Sequence, residues 1–165
     1  MKRFLLLFAA VSNLAFADQL TKETARHLLG PLAPDPRPVE VIPGFFRLAY
    51  VENRGCAWGL FQGQVWPLAV FGLFALAFLV WKRRAIFGVG RLGAWAEPLL
   101  YAGIVGNAVD RFFRGFVIDM LDFHWGDAWH FPCFNLADTL ICTSVGLLIL
   151  ASLSAPSVIA KKAAK

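Results

Sequence analysis

The sequence predicts a mainly α-helical membrane protein with four spans, on three observations. Hydrophobic residues make up 58% of the 165-residue chain and charged ones only 16%, whereas soluble domains run at about 45–50% and about 25%. The apolar residues gather into four runs instead of scattering. Basic residues flank those runs in three clusters: Met1-Lys2-Arg3, Lys82-Arg83-Arg84 with Arg91, and Lys161, Lys162 and Lys165. Together these exclude a disordered chain and argue against a soluble globule. The net charge of +5 sits at the flanks of apolar runs and forms no stripe, so no nucleic-acid partner is expected. The chain is read as one unit, 1–165, whose chemistry must sit on the spans or on the loops joining them.

The first run is Phe4 to about Leu20. Two readings fit it. Met1-Lys2-Arg3, the apolar stretch Phe4–Leu14 and Ala15-Phe16-Ala17 match a cleaved leader, and the same residues match a retained helix. The polar residues Asp18, Gln19 and Lys22 that follow favour retention, as does an even number of spans, which keeps all three basic clusters on one side. The second span is Val65–Trp81, with Trp66 and Trp81 placed as interfacial anchors. The third is Leu92–Val109, and the fourth runs from Leu136 to about Ala155, ended by Pro156. A span needs about 20 residues, so the second and third require a few flanking residues. With both termini inside, nine Lys and Arg residues lie on the cytoplasmic side and seven on the outer side, over much longer loops. Ten of the eleven acids lie at or beyond the outer face, Glu97 being the exception.

The outer segments are about 21–64 and 110–135. Gly30–Pro38 is rich in proline and reads as loop. Val39–Val51 is β-branched and aromatic, broken by Pro43-Gly44, which predicts a hairpin. Cys56–Phe61 is expected to add a short strand. Cys56, Cys133 and Cys142 show no CxxC or metal-ligand spacing and read as small apolar fillers. His27, His124 and His130 lie in outer loops without ligand spacing, so neither metal nor cofactor is expected.

Three polar clusters meet the membrane at one level, where ionisable groups are costly. They are Asp18, Gln19 and Lys22 after the first span; Asn107, Asp110 and Arg111 at the end of the third, continuing to Asp119 and Asp122; and Asn135 with Asp138 at the start of the fourth. Each also has a purely structural reading. Asp18 and Lys22 form an i,i+4 pair. Asn135 is an N-cap with Asp138 at N3. Asn107, Asp110 and Arg111 share a helical face and satisfy one another. Convergence of three helices on one plane is not explained by capping alone. Two carboxylates brought close share a proton. The ionised member then takes a proton from water while the protonated member polarises a carbonyl, which hydrolyses a peptide bond without metal or covalent intermediate. No GxSxG, HExxH or Walker A motif competes.

These residues resemble those of bacterial lipoprotein signal peptidase (signal peptidase II). Asp18-Gln19-x-x-Lys22 is similar to its first-helix box, and Asn53-Arg54-Gly55-Cys56-Ala57-Trp58-Gly59 to its N-x-G-x-A-W-G box. Gly106-Asn107-Ala108-Val109-Asp110-Arg111 matches G-N-x-x-D-R. Ile118-Asp119-Met120 and Phe134-Asn135-Leu136-Ala137-Asp138 resemble the two boxes that hold the family's catalytic aspartates. The boxes occur in order over nearly the whole chain. One departure is Ala102, which stands where the family usually has the first Gly of a pair.

The resemblance implies four spans with a small periplasmic β-cradle and a loop helix, in the inner membrane, with both termini cytoplasmic. It implies an aspartic endopeptidase that cuts prolipoproteins before a diacylglyceryl-modified cysteine, works among membrane lipid and is inhibited by globomycin-type cyclic peptides. Asp119 and Asp138 carry over as the catalytic pair. Asn107, Arg111 and Asn135 carry over as neighbours that position the pair or bind substrate, and Asp18, Lys22, Asn53 and Gly55 as supporting residues. Asp110 is expected to pair with an arginine. Asp122 and Asp127 are rival acids in the same loop. Asp18 to Lys22 then belong to the mature enzyme. Nothing in the sequence calls for a second copy, so a monomer is expected. A small transporter or proton relay, and a scaffold packed through Gly103 and Gly106, are the competing readings; the transporter predicts acids at mid-membrane depth.

Overall fold

A computed structural model describes residues 1–88, 90–126 and 128–154. Asp127, the expected end of the fourth span at Ala155 and Pro156, and the basic tail at Lys161, Lys162 and Lys165 lie outside the described residues. Helix α1 spans Lys2–Leu28, α2 Val65–Trp81, α3 Arg83–Phe87, α4 Gly90–Phe113 and α5 Leu136–Ser154. Strands β1 (Val39–Ile42), β2 (Phe46–Asn53), β3 (Val117–Trp125) and β4 (Trp129–His130) form an antiparallel sheet in that order.

Large apolar side chains point outward from the helices: Phe4, Leu6 and Phe8 on α1, Phe71 and Phe74 on α2, and Ile149 and Leu153 on α5 are all exposed. Water would penalise such surfaces, whereas lipid does not. By length and composition, α1 and α5 each suffice to cross a membrane, and α2 is a shorter apolar helix. Trp66 and Trp81 stand exposed near the two ends of α2.

Inside, small residues let α4 approach its neighbours. Ala96 and Ala102 are fully buried. A Cβ on Gly103 would fall 2.5 Å from the Ala137 carbonyl of α5, and one on Gly106 would fall 2.5 Å from Asp18 Oδ2 of α1. The departure at Ala102 is therefore accommodated, while Gly103 and Gly106 have no room for a side chain. Ser144 Oγ of α5 donates to the Ala96 carbonyl of α4 at 2.8 Å. Beside Ala96 on α4, Glu97 forms a two-pronged pair with Arg83 (2.7 and 3.0 Å), which accounts for the acid placed apart from the rest.

Helix α1 continues eight residues past the apolar run that ends near Leu20, and Asp18, Lys22 and Ala25 are buried against α4, α5 and the sheet. Two expectations require correction. The hairpin at Val39–Val51 forms as expected, but Cys56–Phe61 is no strand. It holds a 3-10 turn at Ala57–Gly59, with positive φ at Trp58 (63°) and Phe61 (57°), a backbone shape that cannot pair in a sheet. The longest strand, β3, lies where only a loop was read; it pairs with β2 from Phe46↔Phe123 to Asn53↔Val117.

Candidate active site

Three helices and two strands meet in one buried polar layer. Its base is Lys22 of α1, 0% exposed, whose Nζ lies 2.8 Å from Asp18 Oδ2 and 3.1 Å from Asp110 Oδ2. Lys22 also donates to Asn107 Oδ1 at 3.1 Å. Asp18 and Lys22 do form the expected i,i+4 pair, and the pair serves more than α1. Asp18 Oδ1 accepts the Ala137 N–H at 2.8 Å, capping the first turn of α5. Asp110 is paired with arginine as expected, though the partner is Arg114, one turn on, and not Arg111. Asp110 Oδ2 also accepts the Ile118 N–H at 3.0 Å and so holds the start of β3 against α4.

Above this base sit the two aspartates of interest. Asp119 is on β3, and its carboxylate accepts from Asn135 Nδ2 at 2.7 Å and Asn53 Nδ2 at 3.0 Å. Asp138 is on α5 and accepts from Asn107 Nδ2 at 2.7 Å. Asn135 links them. Its Oδ1 accepts the Asp138 N–H at 3.0 Å, and its own N–H donates to Asp138 Oδ2 at 3.3 Å, a reciprocal capping box. The N-cap reading of Asn135 and the N3 placement of Asp138 therefore hold, and the same residue also reaches Asp119. Burial pushes the Asp119 carboxyl up from its ordinary 3.8 to about 7, and the charge of Asp138 adds to the rise; the bonds from Asn53 and Asn135 and the charge of Lys22 partly oppose it.

Asn53 ends β2, and Gly55 lies in the loop that follows. Asn53 Oδ1 accepts the Gly55 N–H at 2.9 Å, a turn closed by its own side chain. Gly55 is buried, and a Cβ there would lie 2.5 Å from the Leu60 carbonyl, so glycine is needed for close approach. Arg111 Nη2 donates to the Gly55 carbonyl at 3.0 Å, pinning this loop beside the pair. A cavity of about 480 Å³ opens onto Asp138, bounded by Asn53, Asn107, Arg111, Val117 and Phe134. A neighbouring recess reaches Asp119 and shares Asn53, Cys56 and Cys133 with it.

The rival acid Asp122 is engaged elsewhere: Arg47 Nε donates to its Oδ2 at 2.6 Å. Three positions separate it from Asp119, so the alternation of a strand turns it to the opposite face. One contributor escaped the sequence reading. Arg114 joins Asp110, Gln19 Oε1 (2.7 Å) and Glu23 (3.1 Å), and Gln19, already read in the first polar cluster, donates its Nε2 to Asp110 Oδ1 at 3.1 Å. Continuing the helical face of Asn107 and Asp110 by one more turn reaches Arg114.

The model of the signal peptidase (SPase) II family matches residues 10–154. The chain belongs to the signal peptidase II family. Lipoprotein signal peptidase of Syntrophotalea carbinolica is 38% identical over 152 residues, covering 90% of each chain. That of Clostridium acetobutylicum is 35% identical, covering 81% of this chain and 83% of the relative. Two solved bacterial membrane enzymes share the fold. One, determined in meso at 2.3 Å resolution, has a TM-score of 0.69 and 29% identity over 90% of this chain and 87% of its own. The other, at 1.9 Å, has a TM-score of 0.71 and 28% identity over 92% and 94%. Signal peptidase II membership makes this chain a membrane peptidase of the aspartic type, mainly helical with a small antiparallel sheet, and removes the transporter and scaffold readings.

Proposed function

We propose that Asp119 and Asp138 are the catalytic pair of this peptidase, and that it cleaves diacylglyceryl-modified prolipoproteins before the lipidated cysteine. The observation that carries the assignment is Asn135, which bonds to the Asp119 carboxylate and caps against Asp138, so that the two acids face one site. In the working state the pair holds one proton and titrates as a unit. The ionised carboxylate takes a proton from a water molecule, whose oxygen attacks the scissile carbonyl. The protonated carboxyl hydrogen-bonds the carbonyl oxygen as charge develops there. Collapse of the tetrahedral intermediate breaks the C–N bond, and a carboxyl proton passes to the leaving amine. Asn53, Asn107 and Asn135 hold the carboxylates with neutral amide donors, which orient them without fixing their charge. Arg111 and Gly55 hold the loop that borders the cleft, and Asp18 with Lys22 anchors α1 beneath it.

We further propose four spans, about 4–20, 65–81, 92–109 and 136–155, with both termini in the cytoplasm and the segments about 21–64 and 110–135 on the periplasmic face of the inner membrane. The basic flanks support this orientation. In it, a substrate whose signal helix lies in the bilayer enters sideways and presents its cleavage site at the outer lip. The enzyme acts as a monomer, and a globomycin-type cyclic peptide competes for the same cleft. The test is cleavage of a lipidated prolipoprotein by purified protein. Asp119→Asn and Asp138→Asn should each lower kcat by at least about a thousandfold while the protein still inserts. Full activity in either variant would overturn the assignment.

A further inference from the structure

Outside this polar layer, the β3–β4 turn gathers a second set of ionisable groups. The antiparallel register sets His124 opposite His130, and their rings stack with centroids 5.5 Å apart. Asp122 lies two residues before His124, on the same strand face. Its Oδ1 is 3.5 Å from His130 Nδ1. One donor atom from each of the three residues falls within 4.8 Å of the other two. We propose that Asp122, His124 and His130 form a binding site for a divalent transition-metal ion of the zinc class.

The strongest support is an orphaned atom. His124 is 5% exposed, and its Nδ1 is buried with no hydrogen-bond partner among the described residues. Such atoms are rare and call for a missing partner. The other ring nitrogen, Nε2, lies 3.5 Å from Glu40 Oε2 on β1. A proton held there leaves the Nδ1 lone pair free to bind a cation, and a carboxylate behind an imidazole is the usual outer support of a metal ligand. Asp122 is oriented in the same way: Arg47 occupies Oδ2 at 2.6 Å, leaving Oδ1 toward His130. Two imidazoles and one carboxylate suit zinc, with water completing a tetrahedron. Ligand atoms settle about 2 Å from the ion, so the three must draw together. The half-exposed His130 ring can swing inward to do this.

The place of the site gives it a consequence. An ion held by β3 and β4 ties together the strand that carries Asp119 and the segment Phe131–Phe134, which leads into α5 and borders the cleft. Spacing along the chain shows no metal site, because the ligands become neighbours only through strand pairing.

The experiment uses the full chain, free of any histidine tag, in detergent and stripped of metal by a chelator. Zinc is titrated in competition with a chromophoric chelator, and cobalt is added separately as a spectroscopic probe. Saturable binding of one ion per chain is expected, weakened at least about tenfold in His130→Ala. Zinc should raise the unfolding temperature of the wild type but not of the variant. The cobalt spectrum should lack a thiolate charge-transfer band. His130→Asn serves where the alanine variant fails to fold. A loss of less than tenfold in the folded variant, an absence of saturable binding, or a thiolate band reporting Cys56 or Cys133 would overturn the proposal.

Discussion

Two sets of carboxylates lie in the same buried layer, and their neighbours treat them differently. Asp18 and Asp110 face cations: both touch Lys22, and Asp110 also touches Arg114. Asp119 and Asp138 face amides, from Asn53, Asn107 and Asn135. The first two are tied by ion pairs to neighbouring elements and serve as struts. A buried acid among neutral donors, with a second acid nearby, can gain and lose a proton within a working pH range. The lower set thus builds the platform and the upper set is available for chemistry, although all four residues are aspartate.

The largest break in this contrast is expected at Lys22. Lys22→Met leaves two buried carboxylates without their shared cation, which should cost about 3 to 5 kcal/mol of stability, read by denaturant or thermal unfolding in detergent. Adding Asp110→Asn should restore part of the loss. An unchanged unfolding midpoint for Lys22→Met would remove the strut role.

The second test is pH. With the Asp119 carboxyl raised to about 7, raising the pH through that value strips the pair of its proton, and kcat/KM should fall by about tenfold per unit above it. The same shift has a stability sign. The folded state holds this proton more tightly than the unfolded chain, so the stability it confers is fully present below 3.8 and is lost as pH rises to about 7. A flat rate profile across this range would contradict the proton-sharing pair.

The smallest effect probes the packing beneath both sets. Gly106→Ala places a methyl 2.5 Å from Asp18 Oδ2 and should cost about 1 to 3 kcal/mol by forcing α1 and α4 apart. Gly146→Ala on α5, where nothing lies within 4 Å, should leave stability unchanged or slightly raised. Equal effects at the two glycines would show that the close approach to Asp18 carries no weight.

Much of this was legible in the residues themselves. Long apolar runs mark α2 and α5 almost to the residue, and Asn135 three positions before Asp138 announces a capped helix start. Other features were hidden because pairing across the chain decides them. The acids of Val117–Trp125 draw attention to the site and away from its β-branched and aromatic content, which is that of an inner strand. Trp58 and Phe61 look like strand residues, but their loop folds back so that the Cys56 N–H meets the Leu60 carbonyl at 2.9 Å. Although α4 continues to Phe113, the apolar run stops at Val109, which hides Arg114 from the helical pattern. The partner of Asp110 is one helical turn beyond that limit.

The double engagement of Asn135 ties the separation of Asp119 and Asp138 to a single backbone joint, the entry into α5. A helix rotates about 100° per residue, so losing or gaining one position between Phe134 and Asp138 would swing Asp138 to another side of the bundle. The turns at the sheet's far edge face no such restriction. Length changes there leave this joint, and with it the gap between the two acids, as it was.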